Sequence, residues 1–246
     1  MPPQYILKLE LPAEDNMLMW RKTLKATSGK AKHVLVVDVG GTHIKVMVSG
    51  QKEKREIASG PALTSRAMVR DVKRIVKGWT YDRVSIGYPG PVLHNKPVGE
   101  PHNLAPGWVG FDFRKAFNRP VRIVNDAAMQ ALGDYRGGRM LFLGLGTGLG
   151  SALIVDGVMA PMELAHLPYK RGRTYEDYVG RCGLERMGKK KWRRHVLDVI
   201  GLFRTALEAD EVVIGGGNAR LLKECPPATR LETNAGAFRG GFRLWE

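Results

Sequence analysis

Val36 to Gly50 reads VVDVGGTHIKVMVSG, two apolar, β-prone runs joined by residues that a plain hairpin does not need. A dipeptide such as Asn-Gly is enough to reverse a strand. Here Asp38, Gly40, Gly41, Thr42 and Lys45 stand together instead. Glycines let backbone N–H groups face an anion with no Cβ in the way. Asp38, ending an apolar strand, can hold Mg²⁺ directly or through water, and Lys45 offers a point charge. These are the groups that hold a metal-bound phosphate. The alternative is a tight hairpin with Lys45 in solvent, and against it stands the cost of a buried aspartate without a partner.

A second glycine turn, LGLGTGLGS from Leu143 to Ser151, carries Thr147 and Gly148, and IGGGN from Ile214 to Asn218 carries Gly215, Gly216 and Gly217. Neither fits the GxGxxG dinucleotide fingerprint, and no GxxxxGK[ST] phosphate loop occurs in the chain. Turns of this kind can together surround a phosphate chain. In VNDAAMQALGDY, Asn125 and Asp126 fall where a strand gives way to a helix. Both are good N-caps, and Asp126 also has the chemistry of a base that accepts a hydroxyl proton during phosphoryl transfer. Glu163 and His166 in MELAHLP lie three apart and would share a helix face. A lone ExxH is half of a di-iron motif and HExxH is absent; the pair suits a clamp on sugar hydroxyls, or a surface pair.

The elements that must position these residues follow from periodicity. HVLVVDV, HIKVMVS and KREIAS read as successive strands, and SRAMVRDVKRIVKGW as an amphipathic helix with Met68, Val69, Val72, Ile75 and Val76 on one side. RVSIGYPGPV is a strand stopped by a Pro-Gly turn, FDFRKAFNRP a short helix, and VRIVNDAAMQALGDY a strand running into a helix. RMLFLGLGTGLGSALIVDGVM reads as two strands around glycines, KKKWRRHVLDVIGLFRTALEA as a helix, and EVVIGGGNARLL as strand, glycine turn and helix. Strands alternating with helices predict an α/β protein. The expected organisation is an extension over 1–32 and two similar halves, 33–125 and 126–246, with a cleft between them and a terminal helix that can pack back on the first half.

With 246 residues, 43% hydrophobic and 26% charged, the composition is that of a globular protein. No apolar run approaches the roughly 20 residues that cross a bilayer, and no secretory signal is read at the N-terminus. Only Cys182 and Cys225 are present, which argues against a disulfide framework and fits a reducing cytoplasm. The formal net charge of +15 attracts polyanions. From Lys170 to Arg194 the chain carries ten Lys and Arg against three acids; a solvated helix face is the bland reading of such a run.

In this order the motifs resemble the ROK family of sugar kinases, and within it the polyphosphate-using glucokinases. The carrying stretches are VVDVGGTHIK, VSIGYPGPV, HNLAPGWVGFDF, VNDAAMQALGDY, LGLGTGLGSALIVDGVMAPMELAHL, TYEDYVG and VVIGGGNARL. The resemblance implies an actin-like fold of two ribonuclease-H-like domains and transfer of a terminal phosphoryl group to the 6-hydroxyl of glucose. It makes Asp126 the catalytic base and gives Asn103, Asn125, Asp126, Glu163 and His166 to the sugar. Asp38, Gly40, Gly41, Thr42, Lys45, Thr147 and Gly148 would hold phosphate and Mg²⁺, and Gly215, Gly216 and Gly217 would border ATP or polyphosphate. Homodimers are implied as well. The family's ExGH is here Glu163-Leu164-Ala165-His166, and Pro168 stands where the polyphosphate enzymes often have glutamate. Two other readings are a ROK kinase for mannose or fructose, and a weakly catalytic relative that binds nucleic acid or another polyanion.

Overall fold

The structure, a computed structural model, describes residues 33–232 and 235–246; the extension expected over 1–32 lies outside the described residues. β1 (Val34–Val39) is apolar on both faces and is covered on both. It runs antiparallel to β2 (His43–Val48), which pairs antiparallel with β3 (Lys54–Ala58). α1 (Ser65–Ile75) starts where the Thr64 hydroxyl accepts from Ala67 N at 3.2 Å, and buries Met68, Val69 and Val72. β4 (Arg83–Tyr88) then lies parallel to β1. After a ribbon of β5 (Val92–Leu93) and β6 (Lys96–Pro97) and helix α2 (Phe113–Phe117), β7 (Val121–Asn125) completes the first sheet in the order β3-β2-β1-β4-β7.

α3 (Asp126–Asp134) follows β7 with no intervening residue. β8 (Arg139–Leu145), β9 (Leu149–Val155) and β10 (Val158–Met162) form an antiparallel meander. A 3₁₀ turn at Leu164–His166, a ribbon of β11 (Pro168–Lys170) and β12 (Arg173–Thr174), and helices α4 (Glu176–Val179) and α5 (Arg181–Ala206) come next. β13 (Glu211–Gly215) is parallel to β8, and β14 (Thr229–Leu231) to β13, so the second sheet is ordered β10-β9-β8-β13-β14. Each sheet is thus a three-stranded meander extended by two parallel strands.

Three local expectations change. The expected helix over 189–209 begins at Arg181 and kinks at Gly188, whose φ of 71° is a left-handed backbone that glycine adopts without a Cβ clash. The helix expected after GGGN is a single 3₁₀ turn, Ala219–Leu221. β10 was not expected at all, because Pro161 and its mostly exposed side chains hide it; proline is tolerated there because β10 is an edge strand.

The last helix, α6 (Gly236–Arg243), packs on α3, β1 and β4. The Ser85 hydroxyl in β4 donates to Gly241 O at 2.5 Å and accepts from Trp245 Nε1 at 2.8 Å. Arg239 pairs with buried Asp134, and Arg243 donates to Leu132 O at 2.8 Å and Tyr135 O at 3.0 Å. Those carbonyls end α3, where a helix leaves acceptors unpaired. α6 therefore clamps α3 to the first sheet.

Candidate active site

Strand register builds the site at the C-terminal edge of the first sheet. Asp38 pairs with Lys45 across β1 and β2, and with Gly87 across β1 and β4; Tyr88 pairs with Asn125 across β4 and β7. A Cβ on Gly87 would lie 3.5 Å from Asp126 Cα, so the first residue of α3 sits over the end of β4, next to Asp38. In open α/β sheets ligands bind at this edge.

The two carboxylates are kept out of water and near each other. Burial raises Asp38 to about 6, with Lys45 pulling the other way. Burial also raises Asp126 to about 7, and Asp38 adds to the rise; Ala127 N–H, donating to Asp126 Oδ1 at 2.7 Å, opposes it, and Glu163 supports it. Asn125, not Asp126, is the N-cap of α3: its Oδ1 accepts from Ala128 N at 3.1 Å, and its Nδ2 donates to Gly90 O at 3.2 Å. The carboxylate of Asp126 is therefore free of the capping role and meets only the backbone N–H groups of Ala127 and of Asp126 itself.

The first glycine turn is held from two sides. Gly40 N–H donates to His43 O at 3.0 Å, and the Ser59 hydroxyl donates to Gly40 O at 2.5 Å. A Cβ on Gly41 would stand 3.3 Å from Asn103 Cβ, which places Asn103 against this turn. The loop that carries Asn103 depends on Glu100, whose carboxylate accepts from the N–H groups of Gly107, Trp108 and Val109 at 3.1, 3.0 and 3.2 Å. Burial alone would raise that carboxyl, yet the three N–H groups hold it below the usual carboxylate range. Next to Asn103, the His102 ring meets His166 edge-on at 6.3 Å, and His166 Nε2 lies 3.8 Å from Glu163 Oε2. Glu163 and His166 come from the 3₁₀ turn rather than an α-helix, and both side chains are more than half exposed.

The second set of glycines gathers at the matching edge of the other sheet. Asn218 donates from Nδ2 to Gly146 O and from its backbone N–H to Leu145 O, each at 2.9 Å. This ties the turn at Thr147 and Gly148 to Gly215, Gly216 and Gly217. Gly215 pairs in register with Gly144, and a Cβ on Gly216 would run into the backbone of Leu145. Both ends of this cluster meet α3: a Cβ on Gly150 would lie 2.8 Å from Ala127 Cβ, and one on Gly215 would lie 2.5 Å from Gln130 Nε2. The first two turns of α3 thus carry Asp126 at one end and touch the second glycine cluster along their side.

Glu100, His102, Ser59 and Asn218 escaped the sequence reading. Ser59, His102 and Asn218 act through partners far away in the chain, and Glu100 through the backbone of its own loop, seven to nine residues on, so no local spacing marks any of them. Glu100→Ala is expected to lower the melting temperature by a few degrees, since one carboxylate's loss leaves three N–H groups unpaired. Proteolysis within 101–109 should quicken with it; an unchanged cleavage rate would mean that the loop holds without Glu100.

Mg²⁺ fits the residues present. Two neighbouring desolvated carboxylates repel each other and are relieved by a divalent cation. Among the described residues no group of three or more His, Cys, Asp or Glu could enclose a metal. Mg²⁺ needs no such cage, taking one or two carboxylates and completing its shell with water and substrate phosphates.

Comparison with known proteins gives the family and the fold. The ROK family model matches residues 34–162, just over half of the chain. The polyphosphate glucokinase of Mycobacterium tuberculosis is 27% identical over 211 residues, 77% of this chain and 79% of its own. Among solved structures, the inorganic polyphosphate/ATP-glucomannokinase of Arthrobacter sp. superposes with a TM-score of 0.73 at 23% identity, covering 87% of this chain and 98% of its own. A ROK family glucokinase of Streptomyces griseus, in complex with glucose and AMPPNP, superposes with a TM-score of 0.69 at 17% identity, covering 86% and 98%. These kinases have the actin-like ATPase fold, and the two sheets of like strand order described above are that fold. The chain belongs to the ROK family.

Proposed function

We propose that this protein is a sugar kinase that moves a terminal phosphoryl group from inorganic polyphosphate or ATP to the 6-hydroxyl of glucose. The observation that carries the reading is Asp126, a buried carboxylate raised to about 7 at the sheet edge that also holds Asp38 and the first glycine turn. A general base works best with a pKa near the working pH. Asp126 takes the hydroxyl proton as the sugar oxygen bonds to phosphorus and the bond from phosphorus to the donor's bridging oxygen breaks. The donor departs one phosphate shorter.

Asn125 adjoins the base, Asn103 stands against the first glycine turn, and Glu163 and His166 reach toward the base from the second half, where they can bind ring hydroxyls. The turn from Gly40 to Thr42 lets phosphate approach closely, with the Gly41 backbone N–H and the Thr42 hydroxyl facing it, while Lys45, opposite Asp38, offsets charge. Thr147, Gly148 and Gly215 to Gly217 border the donor. Asp38 would hold Mg²⁺, which when bound neutralises charge on the transferring phosphate. In this reading the halves 33–125 and 126–246 are the two lobes of the kinase, each built on one sheet. Catalysis is then positioning plus charge neutralisation.

Sugar choice rests on few contacts, and Ala165 and Pro168 alter the segment that carries Glu163 and His166. Mannose is therefore tested beside glucose. Purified protein with Mg²⁺, either sugar and either donor is expected to release hexose 6-phosphate. A failure with both sugars and both donors would overturn the kinase reading.

A further inference from the structure

We propose that the basic surface leading from the second glycine turn along the first part of α5 is a track for long-chain inorganic polyphosphate; the proposal rests on the kinase reading for why the chain would start at that turn. Arg181 N–H donates to Thr147 O at 3.0 Å, so α5 begins at the glycine turn itself. Arg181, Lys189, Lys190, Lys191 and Arg194 are exposed along it. Among the described residues, the only cation of the 170–194 run within 4.0 Å of a carboxylate is Lys170, at 3.7 Å from Asp198. Two of the nearby acids are already hydrogen-bonded, and the third, Glu185, stands exposed on α5 between Arg181 and Lys189, where the cations outnumber it. Glu176 accepts from Leu149 N at 3.1 Å, and Asp177 accepts from Thr174 N at 2.8 Å and from its hydroxyl at 3.0 Å.

Charge placement and chemistry select the ligand. The exposed cations stand on both sides of the Gly188 kink, Arg181 before it and Lys189, Lys190, Lys191 and Arg194 after it, so a ligand that meets them from the turn onward is an extended, flexible polyanion. A linear polyanion gains affinity from each charge it meets. Nucleic acid is favoured less, because binding single strands calls for exposed aromatic platforms. The aromatic residues here are withdrawn: Trp192 is fully buried with Nε1 donating to Val179 O at 2.8 Å, and Tyr178 is buried too. Lys189, Lys190 and Lys191 open the helical segment after the Gly188 kink, where cations oppose the helix dipole. All three are exposed and none lies within 4.0 Å of a carboxylate among the described residues, so their removal is expected to leave the fold intact.

The test compares full-length wild type with K189Q/K190Q/K191Q. A control with the same charge loss elsewhere is K77Q/R114Q/K115Q, three exposed positions on the first sheet's side. Binding of end-labelled long-chain polyphosphate is measured by fluorescence anisotropy across salt concentrations, with tripolyphosphate as short competitor and no sugar present. For the α5 triple, long-chain affinity is expected to fall about tenfold or more, and the plot of log affinity against log salt to flatten by about 2. Tripolyphosphate should change less than twofold, and the control should bind like wild type. Equal losses in both triples, equal losses for long and short chains, or no loss at all would each overturn the track. So would a single-stranded oligonucleotide that displaces polyphosphate at matching charge concentration, which would assign the surface to nucleic acid. Because no turnover is involved, failure of hexose phosphorylation is read separately. Product from glucose without any chain-length effect keeps the kinase and removes the track.

Discussion

Asp126→Asn is expected to remove turnover while making the protein more stable above neutral pH. Loss of a general base costs about 10²–10⁴-fold in rate, and the ascending limb of the pH–rate profile near pH 7 should vanish with it. The stability sign follows from the raised carboxyl. Its value of about 7 in the folded protein lies above the ordinary 3.8, so between those values the folded state holds a proton that the unfolded chain has lost. Stability from this group is fully present below about pH 4 and is lost as pH rises through 7. Asparagine has no charge to bury, so the variant should gain about 2–4 kcal/mol above pH 7 and match wild type near pH 4. Urea unfolding at pH 4 and pH 8, beside hexose 6-phosphate release, reads both effects. A variant with wild-type rate would take Asp126 out of the mechanism, and one less stable than wild type at pH 8 would mean the carboxylate is not desolvated. Because Asn125 already caps α3, loss of a helix cap is not expected to obscure the result.

Gly133→Ala should do the opposite, lowering stability first and activity with it. A Cβ there would fall on Gly236 O and Gly240 N, and one on Gly240 would fall on Met129 O. The two helices touch backbone to backbone, so neither side can yield by turning a side chain. Overpacking of this kind costs about 3 kcal/mol or more, roughly 6–12 °C in melting temperature for a chain of this size. α3 carries Asp126 at its other end, so any shift of the helix moves the proposed base, and small misplacements of a reacting group are costly. Gly201→Ala is the contrast: Gly201 lies exposed within α5 with open space around its Cα, and alanine there should stabilise by up to about 1 kcal/mol. Calorimetry of both variants checks the pair. Equal melting temperatures for Gly133→Ala and wild type would show that the helices part without cost.

By itself the sequence determined most of the local structure and the chemical inventory. VLVVDV had to be a covered strand because its side chains are apolar on both faces, and the spacing of Met68, Val69 and Val72 left only a helix with one buried side. Asp38, the glycine turns, Asn125 and Asp126 were visible as types and spacings that simple turns do not require. Tertiary structure alone decided which of these groups matter together. Cap and base looked interchangeable at Asn125 and Asp126 until register with β4 put Asp126 beside Asp38 and out of water. Ser59 and Asn218 became supports only through partners brought close by folding, and Glu100 only once its own loop curled back over the carboxylate. Gly133 and Gly240 are unremarkable as letters and indispensable where two helix backbones touch. The division has one physical cause: burial and periodicity act over a few residues and are written locally, whereas desolvation and repulsion depend on neighbours that only strand register and helix packing supply.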